Sequence, residues 1–446
     1  MFFNFRAACK QAHKLRRTPK WLVFISALLL SHCSIAQEQG GTSLLTLSSA
    51  IKLTLKENPS LKVFKFKEEA LAGQQKTQNL TPGYELGFEI ENFAGSGDLS
   101  AVDSAEFTVS ISSIVEMGDK RAARTGLVQN HSLVLAAERK VQALTLLAEV
   151  TRRYINVLTA QERLALAQQS SQLAEETLEE VEKRAKVGNT PKAEIKRALA
   201  ALGNTRLTLS AEQQNLQYSK IALTMMWNET TPEFTHVEGN LFQFSPDVAF
   251  DTLFNKVKQN PAILVFASEQ RLKDAELRLA RTSSITDIKW SVGIKHIQEL
   301  DDTALTASFS VPLFAAKNNA GAIISAQAAR DEVAARKELS LVKMHSQLYR
   351  AFANRKQAIF TVNSLNNTII PTLEEALSET QIAYQNGIYS YLDYITARQE
   401  LLFAQRAKID AAAAALQYGT DIEELIAEPL PASQHRTNTT FQGIAQ

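Results

Sequence analysis

The chain has 446 residues, 45% of them apolar, with only 17 Gly and 11 Pro and a formal net charge of +1. So few breakers imply long regular elements, and the length suits either two or three ordinary domains or one elongated repeat protein. A balance this close to neutral argues against a nucleic-acid partner, because such binding shows a basic face.

Residues 1–36 read as a secretory signal peptide. Arg6, Lys10, Lys14, Arg16, Arg17 and Lys20 precede any acid, and a ten-residue apolar run, too short to span a bilayer, follows from Trp21 to Leu30. Ser34-Ile35-Ala36 offers small residues for cleavage before Gln37. Leu30-Ser31-His32-Cys33 is a poor lipobox that leaves lipidation at Cys33 as the other ending. Cleavage after Ala36 removes both cysteines, Cys9 and Cys33, and takes the net charge from +1 to −5. No disulfide framework or thiolate metal site survives export.

A first repeat is expected over 37–228. Leu44 to Leu80 reads as helix, interrupted where Asn58 can cap and Pro59 can restart it. After Pro82-Gly83 the apolar period changes to two. Tyr84, Leu86, Phe88 and Ile90 alternate with Glu85, Gly87, Glu89 and Glu91, and after a polar loop Phe107, Val109 and Ile111 alternate with Glu106, Thr108, Ser110 and Ser112. These predict strands at about 83–92 and 105–116, apolar on one face and wet on the other, as a membrane barrel requires. Gly118 to Lys186 then reads as one helix on the order of 100 Å long, with Leu144, Leu147, Tyr154, Ile155 and Leu158 inward. Val187-Gly188-Asn189-Thr190-Pro191 turns it, with Thr190 as cap and Pro191 first in the returning helix, which runs from Lys192 to Trp227.

After a linker at 229–246, residues 247–427 repeat the plan. Gln259-Asn260-Pro261 matches Glu57-Asn58-Pro59 at an offset of 202, and Gly387 matches Gly188 at 199. Ile288, Trp290, Val292 and Ile294 alternate with Lys289, Ser291, Gly293 and Lys295. Leu305, Ala307, Phe309, Val311 and Leu313 alternate with Thr306, Ser308 and Ser310. These predict strands at about 286–297 and 304–314. Four strands cannot close a barrel unless several chains contribute. From Lys317 a long helix carries a seam of Leu341, Leu348, Phe352, Ile359, Val362, Ile369 and Leu373 at a period near 3.5, with Pro371 expected to kink it. Asn386-Gly387 ends it, and Ser390 with Asp393 forms an S-x-x-D capping box for the return. The tail, 428–446, reads as disordered.

The order of elements resembles the outer-membrane efflux protein family, the TolC-like channel-tunnels of Gram-negative bacteria. The residues that carry the likeness are the two Asn-Pro marks, the long helices and the tips Val187-Gly188 to Glu194 and Asn386-Gly387 to Asp393. Glu91-Asn92-Phe93 and Glu116-Met117-Gly118-Asp119-Lys120-Arg121-Ala122-Ala123-Arg124 are similar to the branch serving cobalt, zinc and cadmium export. The resemblance implies an α+β, mainly α, tandem-repeat fold, and a homotrimer whose twelve strands close one barrel in outer-membrane lipid above a periplasmic helical tunnel. It also implies a periplasmic adaptor and an inner-membrane RND-type pump as partners, with the chain itself a passive exit duct. The family's acidic constriction falls on Asp393. A second acid three positions on is Thr396 here, which leaves one acidic ring in that repeat. Three carboxylates facing one axis would repel one another, raise the apparent pKa of at least one, and attract cations.

Each candidate residue also has a plainer reading. Asp393 at the third helical position caps the backbone and meets the positive end of the dipole, which is compatible with a gate role. Glu194 is a gate candidate or a solvated acid near a helix start. Lys192, Lys196 and Arg197, with Lys183, Arg184 and Lys186 across the turn, make the first tip basic, either an adaptor-docking surface or a solvated face, while Gly188 and Gly387 serve their turns in either case. Glu85, Glu89, Glu91 and Glu106 against Lys289 and Lys295 tune passage through a lumen or pair to keep it wet. His131, His236, His296 and His345 are scattered, so neither a bound metal nor any other cofactor is expected. No H-E-x-x-H, G-x-S-x-G or phosphate loop supports an enzyme. The rival functions are a duct for drugs or type I protein secretion and, further off, a trimeric coiled-coil adhesin or surface scaffold.

Overall fold

The computed structural model describes residues 44–93, 95–97, 103–188 and 191–431. The signal peptide, both of its endings, the Thr190 cap and the tail from 432 lie outside the described residues. The elements are β1 (Leu44–Leu45), α1 (Leu47–Glu57), α2 (Pro59–Gln78), β2 (Glu85–Glu91), β3 (Glu106–Val115), α3 (Lys120–Lys186), α4 (Lys192–Thr224), β4 (His236–Val237), α5 (Phe250–Val257), α6 (Pro261–Ser283), β5 (Ile288–Ile297), β6 (Asp302–Ser310), α7 (Ala315–Ser364), α8 (Ile370–Gln385) and α9 (Tyr391–Ile426). A helix pair, two strands and a long helical hairpin thus occur twice.

The two asparagines that open the repeats do the same double job. The Asn58 Oδ1 accepts from the Ser60 N–H at 2.9 Å and caps α2, while its amide donates to the Met226 carbonyl at 2.7 Å, closing the end of α4. Asn260 caps α6 through the Ala262 N–H at 2.8 Å and donates to the Glu424 and Leu425 carbonyls at the end of α9. Each buried side chain satisfies donors at one helix start and acceptors at another helix end. Each repeat's hairpin is thereby tied to its helix pair.

Most of the apolar core lies where the repeats meet. Leu147, Val150, Tyr154, Ile155 and Leu158 of α3 pack with Leu223 of α4, Val362 of α7 and Ile409 and Ala412 of α9. Leu144, expected inward, is only half-buried. The segment between repeats is no loose linker. Phe234, Val237 and Leu241 are buried in this core, and β4 pairs in parallel with β1, so Leu44 and Leu45 begin as strand rather than helix. At the other end of the described chain, Leu430 is buried and donates its N–H to Glu423 at 2.8 Å, which holds the start of the expected tail.

The long strands form one antiparallel sheet in the order β2-β3-β5-β6. Phe88, Val109, Ile294 and Leu305 line up across it, and Leu86, Ile111, Val292 and Ala307 form the next row. Nothing among the described residues covers these rows: Phe88 is 74% exposed and Leu305 83%. On the opposite face Gly87, Ser110, Gly293 and Thr306 make a polar row. A Cβ on Gly293 would lie 2.6 Å from the Val109 carbonyl oxygen, so that position requires glycine. Val311 and Leu313, expected in the last strand, fall beyond β6. Pro312 next to them has no N–H with which to continue a ladder.

The long limb of the second hairpin is not one α-helix. Leu365–Ile369 is a π-helical segment, and Pro371 follows directly, in the first turn of α8. The buried residues Leu348, Ala351, Arg355, Ala358, Val362 and Leu365 step by three and four, and then the seam jumps five to Ile370. One extra residue is accommodated there, so Ile369, expected on the seam, is 42% exposed while Ile370 is buried. A proline cannot donate to the carbonyl four residues back, and the wider π turn absorbs that gap where a kink was expected.

Candidate functional site: the paired hairpin tips

At the second tip, Gly387 has φ +75 and follows the C-cap Asn386. The Gly387 N–H donates to the Tyr384 carbonyl at 3.0 Å and the Ile388 N–H to the Ala383 carbonyl at 2.9 Å, a Schellman pair that closes α8. Ser390 then caps α9. The Asp393 N–H donates to Ser390 Oγ at 3.3 Å, and the Asp393 carboxylate accepts from the Ser390 N–H at 2.9 Å and its hydroxyl at 2.7 Å. Those Ser390 side-chain and backbone bonds hold the exposed Asp393 carboxyl below the ordinary aspartate value. Thr396 is exposed one turn further along α9.

The first tip turns at Gly188, φ +83, whose N–H donates to the Ala185 carbonyl at 3.1 Å. Pro191 was expected as the first helical residue. It stands instead at the cap with an extended ψ of 145, and α4 starts at Lys192. Glu194 therefore occupies the same third helical position as Asp393. Pro191 offers neither a hydroxyl nor an N–H, so no capping box forms. The Glu194 carboxylate turns instead to the other hairpin, where the Tyr384 hydroxyl donates to it over a long 3.5 Å. Lys192, Lys196 and Arg197 are exposed and make no ion pair among the described residues.

The two tips share one small core. Val181 and Ala198 of the first hairpin pack with Tyr384, Tyr391 and Tyr394 of the second, and the rings of Tyr384 and Tyr394 stack at 5.6 Å. Arg184 lies over the Tyr384 ring, 4.4 Å from its centre, and donates to the Tyr384 carbonyl at 3.0 Å. Further along, Arg398 of α9 is buried and donates to the Leu173 and Ser170 carbonyls and to Thr177 Oγ1 of α3, at 2.9–3.1 Å. Among the described residues no carboxylate pairs with it, and burial pushes the guanidinium below its ordinary value. Sequence reading chose the charged groups of the tips and missed Tyr384, Tyr391, Tyr394 and Arg398. The signal was present: Tyr391, Tyr394, Arg398 and Leu401 step by three, four and three, a helical seam with a cation on it.

On the wet face of the sheet, Lys295 bridges Glu91 and Glu106, 2.6 Å from each, and Lys289 lies 3.3 Å from Glu85. Glu89 makes no ion pair among the described residues. The two strings singled out as branch marks sit at opposite ends of the sheet. Glu91-Asn92 supplies the Lys295 bridge and an Asn92 amide bond to Glu106 at 3.1 Å. In the other string Arg124 makes a two-pronged pair with Glu116, Lys120 meets Asp287 at 2.7 Å, and the Met117 N–H donates to Asp287 at 3.0 Å. Gly118, φ +74, packs so tightly on Ile285 that a Cβ would sit 2.3 Å from it. These residues tie strand ends to helix starts. No group of three or more His, Cys, Asp or Glu able to hold a metal occurs among the described residues.

Residues 50–229 match the family described as "Outer membrane efflux protein". The chain is 24% identical over 415 residues to the cobalt-zinc-cadmium resistance protein CzcC of Cupriavidus metallidurans, an alignment covering 90% of this chain and 97% of that protein. It is 23% identical over 339 residues to the pyoverdine export outer membrane protein OpmQ of Pseudomonas aeruginosa, covering 72% of this chain and 69% of that protein. The CmeC outer membrane channel of Campylobacter jejuni superposes with a TM-score of 0.69 at 16% identity, over 85% of each chain. The fold is that of the TolC-like channel-tunnels, mainly helical with a few strands.

Proposed function

We propose that this protein is the outer-membrane channel of a tripartite efflux system, a passive exit duct that passes divalent metal cations of the cobalt, zinc and cadmium kind. Three chains would each give four strands to a twelve-stranded barrel, burying the apolar rows of Phe88 and Leu86 against lipid and pairing the open edges β2 and β6. The helices form the periplasmic tunnel, and the tips meet a periplasmic adaptor attached to an inner-membrane RND-type pump. The observation that carries the metal reading is the likeness to the cobalt-zinc-cadmium resistance protein over 90% of this chain. The two branch strings add little, since both have structural jobs. The duct itself needs no bound metal, and substrate choice resides in the pump.

Asp393 is the gate acid of this reading and Glu194 its counterpart on the first hairpin. Lys192, Lys196 and Arg197 are a docking face for the adaptor, and Lys289 and Lys295 with Glu85, Glu89 and Glu106 line the barrel lumen. A second reading, export of an organic compound, is favoured by the likeness to the pyoverdine exporter. Growth inhibition of a deletion strain by zinc, cobalt, cadmium, copper and silver, beside bile salts and dyes, separates them. Sensitivity confined to divalent metals supports the metal duct. Sensitivity to dyes and detergents with normal metal tolerance overturns the metal and keeps the channel.

A further inference from the structure

Tyr391 holds a group that neither helix capping nor the gate acids explain. Its ring fills the tip core between Val181, Ala198, Tyr384 and Tyr394, the residue is 3% exposed, and its hydroxyl has no hydrogen-bond partner among the described residues. The polar groups around it are committed elsewhere. Arg398 gives its donors to Leu173, Ser170 and Thr177, and Tyr384 turns its hydroxyl to Glu194. Burial pushes the Tyr391 phenol up to about 12, so it stays neutral and remains a donor without an acceptor.

A buried hydroxyl with no partner forfeits the hydrogen bonds it makes to water, and native interiors carry few such groups. We propose that Tyr391 acts as a spring in the joint between the two hairpin tips: packing closes the joint on a hydroxyl that only a parted joint can hydrate. The residue thereby holds the closed tips near balance. Its seam neighbours work in the opposite sense, since Tyr394 stacks on Tyr384 and Arg398 bonds α9 to α3. The proposal rests on the reading of the tips as the entrance of the duct, and it adds the residue that sets how readily that entrance opens.

Tyr391→Phe deletes the hydroxyl and keeps the ring. In the full-length protein in lipid, amide exchange across 181–188 and 384–398 is expected to slow about five- to tenfold in this variant, with fewer openings in single-channel recordings. Tyr384→Phe, which removes a bonded hydroxyl, is expected to speed exchange in the same segments. Faster or unchanged exchange in Tyr391→Phe overturns the spring, because it means the hydroxyl is satisfied in the closed joint. Slower exchange with unaltered openings keeps the spring and overturns the reading of the tips as the entrance.

Discussion

At the first tip Pro191 stands at the cap and Glu194 reaches across to Tyr384; at the second, Ser390 stands at the cap and Asp393 folds back onto it. Both acids sit at the third helical position, and both turns use a glycine at positive φ. One carboxylate is spent between hairpins and the other within its own helix. The difference comes from a single side chain, because a proline can neither give nor accept the bonds of a capping box. The same acid at the same place in a repeat can therefore tie two elements together or merely start one.

The largest effect expected on this arrangement is at Arg398, the second hairpin's grip on α3. Arg398→Ala removes three hydrogen bonds from a buried cation and is expected to cost about 2–3 kcal/mol, read as loss of amide protection in both tips. If only α9 loses protection, the two hairpins are independent and the shared core is not their joint. Next come the turns. Gly387→Ala and Gly188→Ala each place a Cβ at positive φ with open space around it, and each is expected to cost about 1–2 kcal/mol in thermal unfolding. Equal costs mean the turns are equivalent, which confines the asymmetry to the caps.

Smaller still is the cap itself. Ser390→Ala is expected to cost about 1 kcal/mol, while Pro191→Ala stays within a few tenths, because no side-chain cap is lost there. The pH dependence separates the tips further. Asp393's folded value is depressed by Ser390, so the contribution of its carboxylate is present above the unfolded value and is lost as pH falls through the lower folded one. Titration of the second tip's amide protection into acid checks this, and Ser390→Ala is expected to weaken the dependence without removing it, because the backbone N–H of residue 390 still donates to the carboxylate. The smallest effect is Tyr384→Phe, which gives up one long hydrogen bond to Glu194 and is expected to cost a few tenths of a kcal/mol.

The hairpins differ in their long limbs as well. α3 runs 67 residues without interruption, while its counterpart breaks into α7, a π turn and α8. Period reading met the buried seam at Leu348 and Val362, fell one residue beyond Ala351 and Ala358 with Phe352 and Ile359, and then placed Ile369 inside. One surplus residue is invisible to a pattern averaged over many turns, although Pro371 marked its neighbourhood. The seam of α9 is legible in the same way, with Tyr391 three residues before Tyr394 and Arg398 four after it.

The sequence by itself determined everything that depends on local periodicity and backbone geometry. The two Asn-Pro starts, the change from a helical period to strict alternation, the glycine turns and the Ser390–Asp393 box follow from preferences acting over a few residues. Only the tertiary structure decided which polar groups meet. Asn58 and Asn260 close helices more than 160 residues away, Arg398 finds carbonyls 225 and 228 positions back, and the Tyr391 hydroxyl finds no partner among the described residues. Such pairings depend on how whole helices are placed against one another, and no local spacing carries that information.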